Sequence, residues 1–371
     1  MYYIIQTPSG IVILPMQQCF GIVCGFATAI LMACSYIASG WAIRRTPGLN
    51  ALTLLANSFI WMGLVCVVGV ALTWRPEILH GFWHRFPPVV QSLSCYTLAQ
   101  VLMFMAQRKV DASLLVPLLG LKLPILMFLN LAFLGMRFTW MQVLAVALTV
   151  LAAFLLNRAG KGISKSCLCY VILACTFFSV SDMGLKQETD LLQSELGFSP
   201  TLAAAYCTFL NYLTAGVLGV LTVFWQIRKS FRLSQGTASV DAGASLTPSD
   251  SRPHSQQSPS PTFPQENTVP GVTSFPGRQH PHHWRILFRS LPYGLIWIVA
   301  IIFLNICFSL LGTVNGNIIQ STRGIFSILF SPILVAFGLT YLEERVSWKI
   351  ILRRLLAACM MAAAIYLYNH N

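Results

Sequence analysis

The stretch PILMFLNLAFLGMRFTW, residues 124–140, recurs in altered form as PILVAFGLTYLEERVSW, residues 332–348. Identical or conservatively changed positions share one register: Pro124-Ile125-Leu126 with Pro332-Ile333-Leu334, Leu134 with Leu342, Arg137 with Arg345, Thr139 with Ser347 and Trp140 with Trp348. Matching leucines carry little information in an apolar sequence, but a proline, an arginine and a tryptophan in one register indicate a duplicated unit. Duplicated membrane units are typical of secondary transporters.

The composition predicts a membrane protein, because 56% of the 371 residues are hydrophobic and only 9% are charged. A soluble domain carries about 25% charged residues, and a chain with so few cannot cover a water-facing surface. About 20 apolar residues cross the hydrocarbon core as a helix. Helices satisfy their backbone groups internally, as lipid requires. We therefore expect an all-α integral membrane protein.

Ten stretches are long and apolar enough to be candidate transmembrane helices. They cover residues 19–43, 50–73, 87–107, 112–134, 139–157, 166–186, 200–226, 291–312, 317–341 and 348–368. Together with the duplication, they predict two five-helix repeats, 19–160 and 161–371. The N-terminal segment, 1–18, lacks a basic start and contains two prolines and a glycine, so we expect neither a signal peptide nor an eleventh span.

The second repeat is interrupted at about 234–283 by a segment rich in Ser, Pro, Gln, Thr and Gly. This composition predicts a disordered loop. A histidine cluster, His280-Pro281-His282-His283, has no Cys or acidic partner at metal-ligand spacing. The eleven cysteines lie in or beside apolar spans, which is typical of packing residues. We expect no metal and no cofactor.

The net charge of +13 reflects membrane orientation rather than nucleic-acid binding. If ten spans alternate, most basic residues fall on one side, which the positive-inside rule makes cytoplasmic. That side holds Arg44, Arg45, Arg108, Lys109, Arg158, Lys161, Lys165, Arg228, Lys229, Arg232, Arg285, Arg289, Arg345 and Lys349, against Arg75, Arg85, Arg137 and Lys186 on the other. The charges therefore predict a cytoplasmic large loop and external termini.

The residues from Ser331 to Ser347 resemble a helix end and turn found in the drug/metabolite transporter superfamily, in its ten-helix EamA-like branch. Met136 stands where that family usually has Glu, and Glu343 where it usually has Gly. The resemblance covers nearly the whole chain and implies two inverted five-helix repeats around a central cavity, with alternating access. It also implies cytoplasmic termini. Both orientations stay open, and we follow the charges.

Two cations lie inside predicted spans, where charge is costly and usually faces a cavity. Lys122 is near the middle of the fourth span and Arg323 is about two turns into the ninth. Two basic groups in one cavity favour an anionic ligand, because Arg offers a planar fork and Lys a point charge. The alternative is structural pairing with helix-end carbonyls or with Asp182, the only acid inside the predicted spans.

Polar side chains on other spans are further candidates for substrate contact. They are Gln320, Gln100, Tyr96, Asn57, Asn211 and Asn305. Such groups equally join neighbouring helices, and we interpret Tyr293, Trp61 and Trp297 as packing residues. The pairs Gly21 with Gly25 and Gly216 with Gly219 favour close helix contact, within the chain or in a homodimer. Prolines inside the fourth and ninth spans predict broken helices, which neighbour binding sites in transporters.

These observations predict a secondary transporter of a small organic metabolite, anionic or zwitterionic, in the cell (inner) membrane. An exporter of amino acids or amphipathic drugs is the alternative within the same class. Motifs of phosphate-binding loops, nucleophile elbows and metalloenzymes are missing from the sequence, so we expect no enzyme. An intramembrane enzyme using Asp182, His80 or His84 and a non-transporting scaffold are alternatives of other classes. The expected partners are the substrate, the bilayer and a second copy in a homodimer, but no nucleic acid.

Overall fold

A computed structural model of the protein describes residues 2–7, 10–46, 49–79, 81–110, 115–116, 118–135, 139–158, 164–244, 283–336 and 348–369. Two short strands at the start, β1 (Tyr2–Thr7) and β2 (Gly10–Pro15), pair as an antiparallel hairpin. Apart from short connections, the rest of the described chain is helical. The N-terminal segment is thus a small hairpin ahead of the first helix.

Eleven α-helices follow in the part of the chain that the structure describes. They are α1 (Met16–Arg45), α2 (Ala51–Thr73), α3 (Phe82–Gln107), α4 (Lys122–Leu134), α5 (Trp140–Arg158), α6 (Lys165–Leu196), α7 (Pro200–Ala244), α8 (His283–Leu311), α9 (Thr313–Ser321), α10 (Arg323–Ala336) and α11 (Trp348–Asn369). Short 3-10 helices precede α3 and α4, at Pro76–Leu79 and Leu119–Leu121.

Six of these helices, α1, α2, α3, α6, α7 and α8, are long and apolar enough to cross a membrane. The protein is therefore a multi-pass membrane protein. Shorter apolar helices occupy the fourth and fifth predicted spans, and the ninth predicted span is divided into α9 and α10. The number of ten spans stays a prediction.

Two helix ends differ from the sequence-based expectation. Helix α6 continues to Leu196, ten residues beyond the predicted end of the sixth span at 186. Helix α7 continues to Ala244, so residues 234–244 of the predicted loop are helical. In both cases no proline interrupts the polar extension, and adding residues to an existing helix is far easier than starting one. Residues 245–282, with most of the histidine cluster, lie outside the described part.

The most extensive helix contacts are α2 with α7, α3 with α6, α1 with α8 and α5 with α11. Dividing the helices into the two predicted repeats makes α1, α2, α3 and α5 correspond to α6, α7, α8 and α11. If each helix is replaced by its counterpart in the other repeat, the contact of α3 with α6 becomes the contact of α8 with α1. The contacts of α2 with α7 and of α5 with α11 each join a helix to its own counterpart, so they stay the same. The packing has the internal symmetry that a duplication would produce.

Contacts at the two ends of the bundle give the helix directions. At one end, Arg289 in α8 donates to Thr46 just after α1, with 2.8 Å between Nη1 and Oγ1. At the same end, Lys109 just after α3 lies 3.3 Å from Ser166 at the start of α6. At the opposite end, Ser309 in α8 donates to the carbonyl of Pro200, where α7 begins. Helices α1 and α3 therefore run antiparallel to their counterparts α6 and α8.

Glycines allow helices α2 and α7 to approach each other closely. A Cβ atom on Gly63 would lie 2.7 Å from the Cα of Gly216, and one on Gly219 would lie 2.6 Å from the carbonyl oxygen of Ala56. Likewise, a Cβ on Gly21 would meet Leu311 of α8 at 2.8 Å. Glycines that the sequence assigned to close helix contact thus face helices of the same chain.

The fourth and ninth predicted spans are both interrupted next to a cation. Pro124 lacks an N–H group, so the carbonyl four residues earlier loses its helical partner, and a 3-10 turn precedes α4. Between α9 and α10, the hydroxyls of Ser321 and Thr322 bond carbonyls three residues back, at 2.6 and 2.7 Å. Such bonds compete with the helical ladder. Lys122 and Arg323 consequently occupy the first residue of α4 and of α10.

Candidate functional site

A cavity lies inside the bundle, bordered by α1, α3, α4, α6, α7, α8, α9 and α10. Its free volume for a water-sized sphere is about 30 Å³, room for about two water molecules, so in this conformation side chains nearly fill a site that is small beside the range of about 300–1,000 Å³ usual for ligand pockets. Its charged lining residues, among those described, are Lys122, Asp182 and Arg323. Each is about 95% buried. The cavity wall therefore carries one net positive charge.

Lys122 and Asp182 form a buried ion pair between α4 and α6. The same carboxylate oxygen, Oδ2, accepts a hydrogen bond of 2.7 Å from Nδ2 of Asn317 on α9. The ammonium also lies 5.7 Å from the centre of the Phe178 ring. This network ties three helices together and neutralises Lys122, so it has the character of a structural pair.

Arg323 has no carboxylate partner among the described residues. Its Nη1 lies 3.5 Å from the sulfur of Met32, and Nε2 of Gln320 lies 2.8 Å from the same atom. A thioether is only a weak acceptor. Nε of Arg323 and the hydroxyl of Tyr36 lack any hydrogen-bond partner in the described part of the chain. The cavity thus contains more strong donors than acceptors, an arrangement suited to an anionic oxygen.

Aromatic rings line the same cavity as these donors. Tyr96 lies at its centre, with ring centroids 5.5 Å from Tyr212, 6.1 Å from Trp297 and 6.2 Å from Phe178. The Tyr36 ring packs edge-on against Trp297 at 5.5 Å. The rings offer a flat apolar surface of the kind that buries the body of a small organic molecule.

Comparisons with known proteins identify the first half of this architecture. Residues 19–158 match the EamA-like transporter family. This match confirms the resemblance to the drug/metabolite transporter superfamily that the sequence predicted. No curated protein matches the chain.

A solved structure described only as "Crystal structure of protein" is similar in fold. It has a TM-score of 0.53 and 14% sequence identity, over 95% of this chain and 98% of that one. At such low identity, the likeness shows the fold alone. The family match is limited to residues 19–158, which are similar to EamA-like transporters.

In this bundle, five of the eight residues predicted to contact substrate lie at the cavity: Lys122, Arg323, Gln320, Tyr96 and Asn211. The other three are buried elsewhere. Gln100 does not line the cavity but donates to the hydroxyl of Tyr96, which does, at 3.3 Å. Asn57 bonds the carbonyl of Thr53 within α2 at 2.7 Å, and Asn305 joins α8 to Thr208 of α7 at 2.7 Å. The last three have structural contacts.

Sequence reasoning missed a second buried acid in the bundle. Because α6 extends beyond the predicted span, Glu188 lies inside the protein, 1% exposed, and Asp182 is not the only buried acid on α6. Leu185, Glu188 and Leu192 follow the spacing of one helix face, and all three are buried. That periodicity was the available signal. Arg85, predicted in a loop, is also buried, at 3% exposure, in the first turns of α3.

Proposed function

We propose that the protein is a secondary transporter of a small organic anion or zwitterion with an apolar body. It would act in the cell (inner) membrane by alternating access between two inverted five-helix repeats. The observation that carries the proposal is the convergence of Gln320 and Arg323 on Met32. Two strong donors that share a weak acceptor inside an apolar bundle leave hydrogen-bonding capacity for a better acceptor.

The charge balance of the cavity supports a ligand with one negative charge at the donor cluster. Asp182 already compensates Lys122, so a single carboxylate on Arg323 would complete the neutralisation. A dianion would leave one buried charge uncompensated, which is costly in a low-dielectric site. The planar guanidinium fork suits a carboxylate. The aromatic wall would hold the substrate's apolar body.

Alternating access is supported by the arrangement of helices around the cavity. Both cations begin helix segments that follow local breaks, and broken helices at a repeat interface are typical sites of substrate binding in secondary transporters. The antiparallel directions of α1 and α6, and of α3 and α8, are those that an inverted repeat requires. A fixed central site could then open to either side by movement of one repeat against the other.

Thermal unfolding of the purified protein with four matched aromatic compounds tests the proposal. Benzoate is a monoanion, phthalate a dianion, phenylalanine a zwitterion and benzyl alcohol a neutral analogue. A ligand that binds only the folded protein raises its melting temperature by mass action. We expect stabilisation by benzoate or phenylalanine, little by phthalate and none by benzyl alcohol.

Variants of the donor cluster test the role of Arg323. Arg323→Gln should abolish stabilisation by benzoate, and Arg323→Lys should weaken it, because the charge remains but the fork is lost. Lys186→Gln, at an exposed position of α6, is the matched control and should bind normally. Full stabilisation of Arg323→Gln by benzoate would refute the assignment of Arg323 to the substrate.

An exporter of amphipathic drugs or amino acids is the second candidate, and the aromatic lining favours it. It predicts that benzyl alcohol or a hydrophobic amine stabilises the protein as well as benzoate does. For amino acids, phenylalanine should be the better ligand. Uptake of the stabilising compound into vesicles that contain the purified protein then separates a transporter from a scaffold.

A further inference from the structure

Glu188 is a buried acid that the substrate site does not use. It lies on α6 and is 1% exposed. Its Oε2 accepts hydrogen bonds from Nδ2 of Asn211 and from the thiol of Cys207, the latter at 3.2 Å. Its Oε1 has no hydrogen-bond partner among the described residues, and within the same set no Lys or Arg forms an ion pair with it.

The surroundings of Glu188 contain two other groups that carry or can acquire charge. Cys207 from α7 donates to it, and Arg85 from α3 lines the same groove. Arg85, however, donates to the carbonyl of Ile78 and lies 3.9 Å from Glu195, near the end of the bundle. A buried carboxylate without a cation in contact is strongly destabilised, whereas a protonated carboxyl is neutral. The site therefore favours binding of a proton.

Glu188 lies between two spaces in the protein. On one side is a groove of about 560 Å³ between α3 and α7, which Glu188 lines together with mainly apolar side chains. On the other side, Asn211 lines the central cavity while its amide donates to Glu188. Oδ1 of Asn211 also lacks a donor in the described part of the chain. A proton on Glu188 would supply a hydrogen-bond donor beside two oxygen atoms that have none, Oε1 of Glu188 and Oδ1 of Asn211. Because Asn211 also lines the cavity, a change in its hydrogen bonds would reach the cavity wall.

We propose that Glu188 binds a coupling proton, so that one proton crosses the membrane with each substrate anion. The step transfers a proton from hydronium to the carboxylate, which forms a carboxylic acid and water, and release on the other side reverses it. The proton enters from the end where α6 terminates at Leu196, about 12 Å from Glu188 at 1.5 Å per residue. This inference rests on the proposed transport function.

Infrared difference spectroscopy tests proton binding without any substrate. In the wild-type protein above about pH 6, where exposed carboxyls are ionised, the carbonyl band of a protonated carboxyl should appear as the pH is lowered and disappear as it is raised. Glu188→Gln should lack this titrating band. Glu195→Gln is the matched control on the same helix, because Glu195 is partly exposed and pairs with His84 at 2.6 Å, and it should retain the band. A band that does not change with pH, or that persists in Glu188→Gln, overturns the proposal.

Vesicles containing the purified protein test coupling, with benzenesulfonate as the transported probe. A sulfonate stays anionic, so it does not cross the bilayer as a neutral acid. For one proton per anion, accumulation should rise about tenfold for each unit of imposed pH difference. In Glu188→Gln this dependence should disappear while exchange of internal for external benzenesulfonate continues. Glu188→Asp keeps a carboxyl group and should recover part of the dependence on the pH difference. Continued exchange in the Gln variant shows that the variant is folded.

The outcomes separate the two proposals. Two results overturn the role of Glu188. One is that accumulation in Glu188→Gln follows the pH difference as it does in wild type. The other is that accumulation in wild type follows an Na⁺ gradient at equal pH. Absence of any benzenesulfonate uptake by wild type counts against the proposed function, and the infrared measurement then still decides whether Glu188 exchanges a proton.

Discussion

Removing one member of the Lys122–Asp182 pair should be far more damaging than removing both. The two side chains are each 6% exposed, and deleting one partner of a buried ion pair costs about 3–5 kcal/mol, because the other charge stays buried and uncompensated. In Lys122→Gln, the hydrogen bond from Asn317 still stabilises the Asp182 carboxylate, so we expect a loss near the lower limit, about 3 kcal/mol. In Asp182→Asn, the Phe178 ring is the remaining partner of the ammonium, worth up to about 2 kcal/mol.

The double variant Lys122→Gln with Asp182→Asn should be within about 1 kcal/mol of wild type, since neither charge remains. Equilibrium unfolding in mixed micelles, followed by tryptophan fluorescence, gives the four free energies of a double-mutant cycle. The control pair is Lys186 with Asp190 on the same helix, with side chains 29% and 54% exposed. An exposed pair at this spacing contributes only about 0.3–0.5 kcal/mol.

Additive losses in the double variant would refute the reasoning, because they would mean that the two charges do not act as one unit. A second comparison uses Arg323→Gln with Asp182→Asn. Since Asp182 is paired with Lys122 and Arg323 is a second buried cation in the same cavity, this combination should recover less stability than Lys122→Gln with Asp182→Asn does. Equal or greater recovery would contradict the pairing of Asp182 with Lys122.

Three further predictions concern packing, the loop and orientation. Gly216→Ala should lower the free energy of unfolding by about 1–3 kcal/mol, because its Cβ would lie 2.7 Å from the Gly63 backbone. The control is Gly40→Ala, which has open space around it. Equal stability of the two variants would contradict the close approach of α2 and α7. Replacing residues 245–282 by a short Gly-Ser linker should leave expression and vesicle uptake unchanged, because the segment lacks the apolar residues needed for a core; loss of uptake at normal expression would give it a functional role. A cysteine introduced at Ser260 should escape an impermeant thiol reagent in intact cells if the basic end of the bundle is cytoplasmic, and strong labelling above the wild-type background would establish the opposite orientation.

The sequence predicted the helical membrane class well, because composition alone excludes a soluble surface. The duplicated stretch also agrees with the structure at its tryptophans, since Trp140 begins α5 and Trp348 begins α11. Hydropathy could not give the ends of α6 and α7. It reports where a helix leaves the apolar core of a bilayer, and these helices continue as polar segments beyond it.

For the site, the cost of burying charge correctly indicated that Lys122 and Arg323 face a cavity. Of these two cations, only Lys122 forms the ion pair with Asp182 that the sequence left open as an alternative. The amides were harder to assign. In a water-soluble helix the apolar face marks the core, but in a membrane both the lipid-facing and the buried face are apolar, so the pattern does not tell which amides face a cavity. Asn211 faces it, whereas Asn57 and Asn305 bond within the helix packing.

The proposed substrate anion and the proposed proton on Glu188 balance each other in the sum of the buried charges. Near the cavity, the described residues comprise the cations Lys122 and Arg323 and the acids Asp182 and Glu188. With an ionised Glu188 and no substrate, these four charges sum to zero; with a proton on Glu188 and a monoanion on Arg323, the sum is again zero. A charge that crosses the whole membrane field is worth about 2.3 kcal/mol per 100 mV, so neither form of the transporter would change conformation against the membrane potential. Under these proposals the pH difference, rather than the potential, is the force that the arrangement can use.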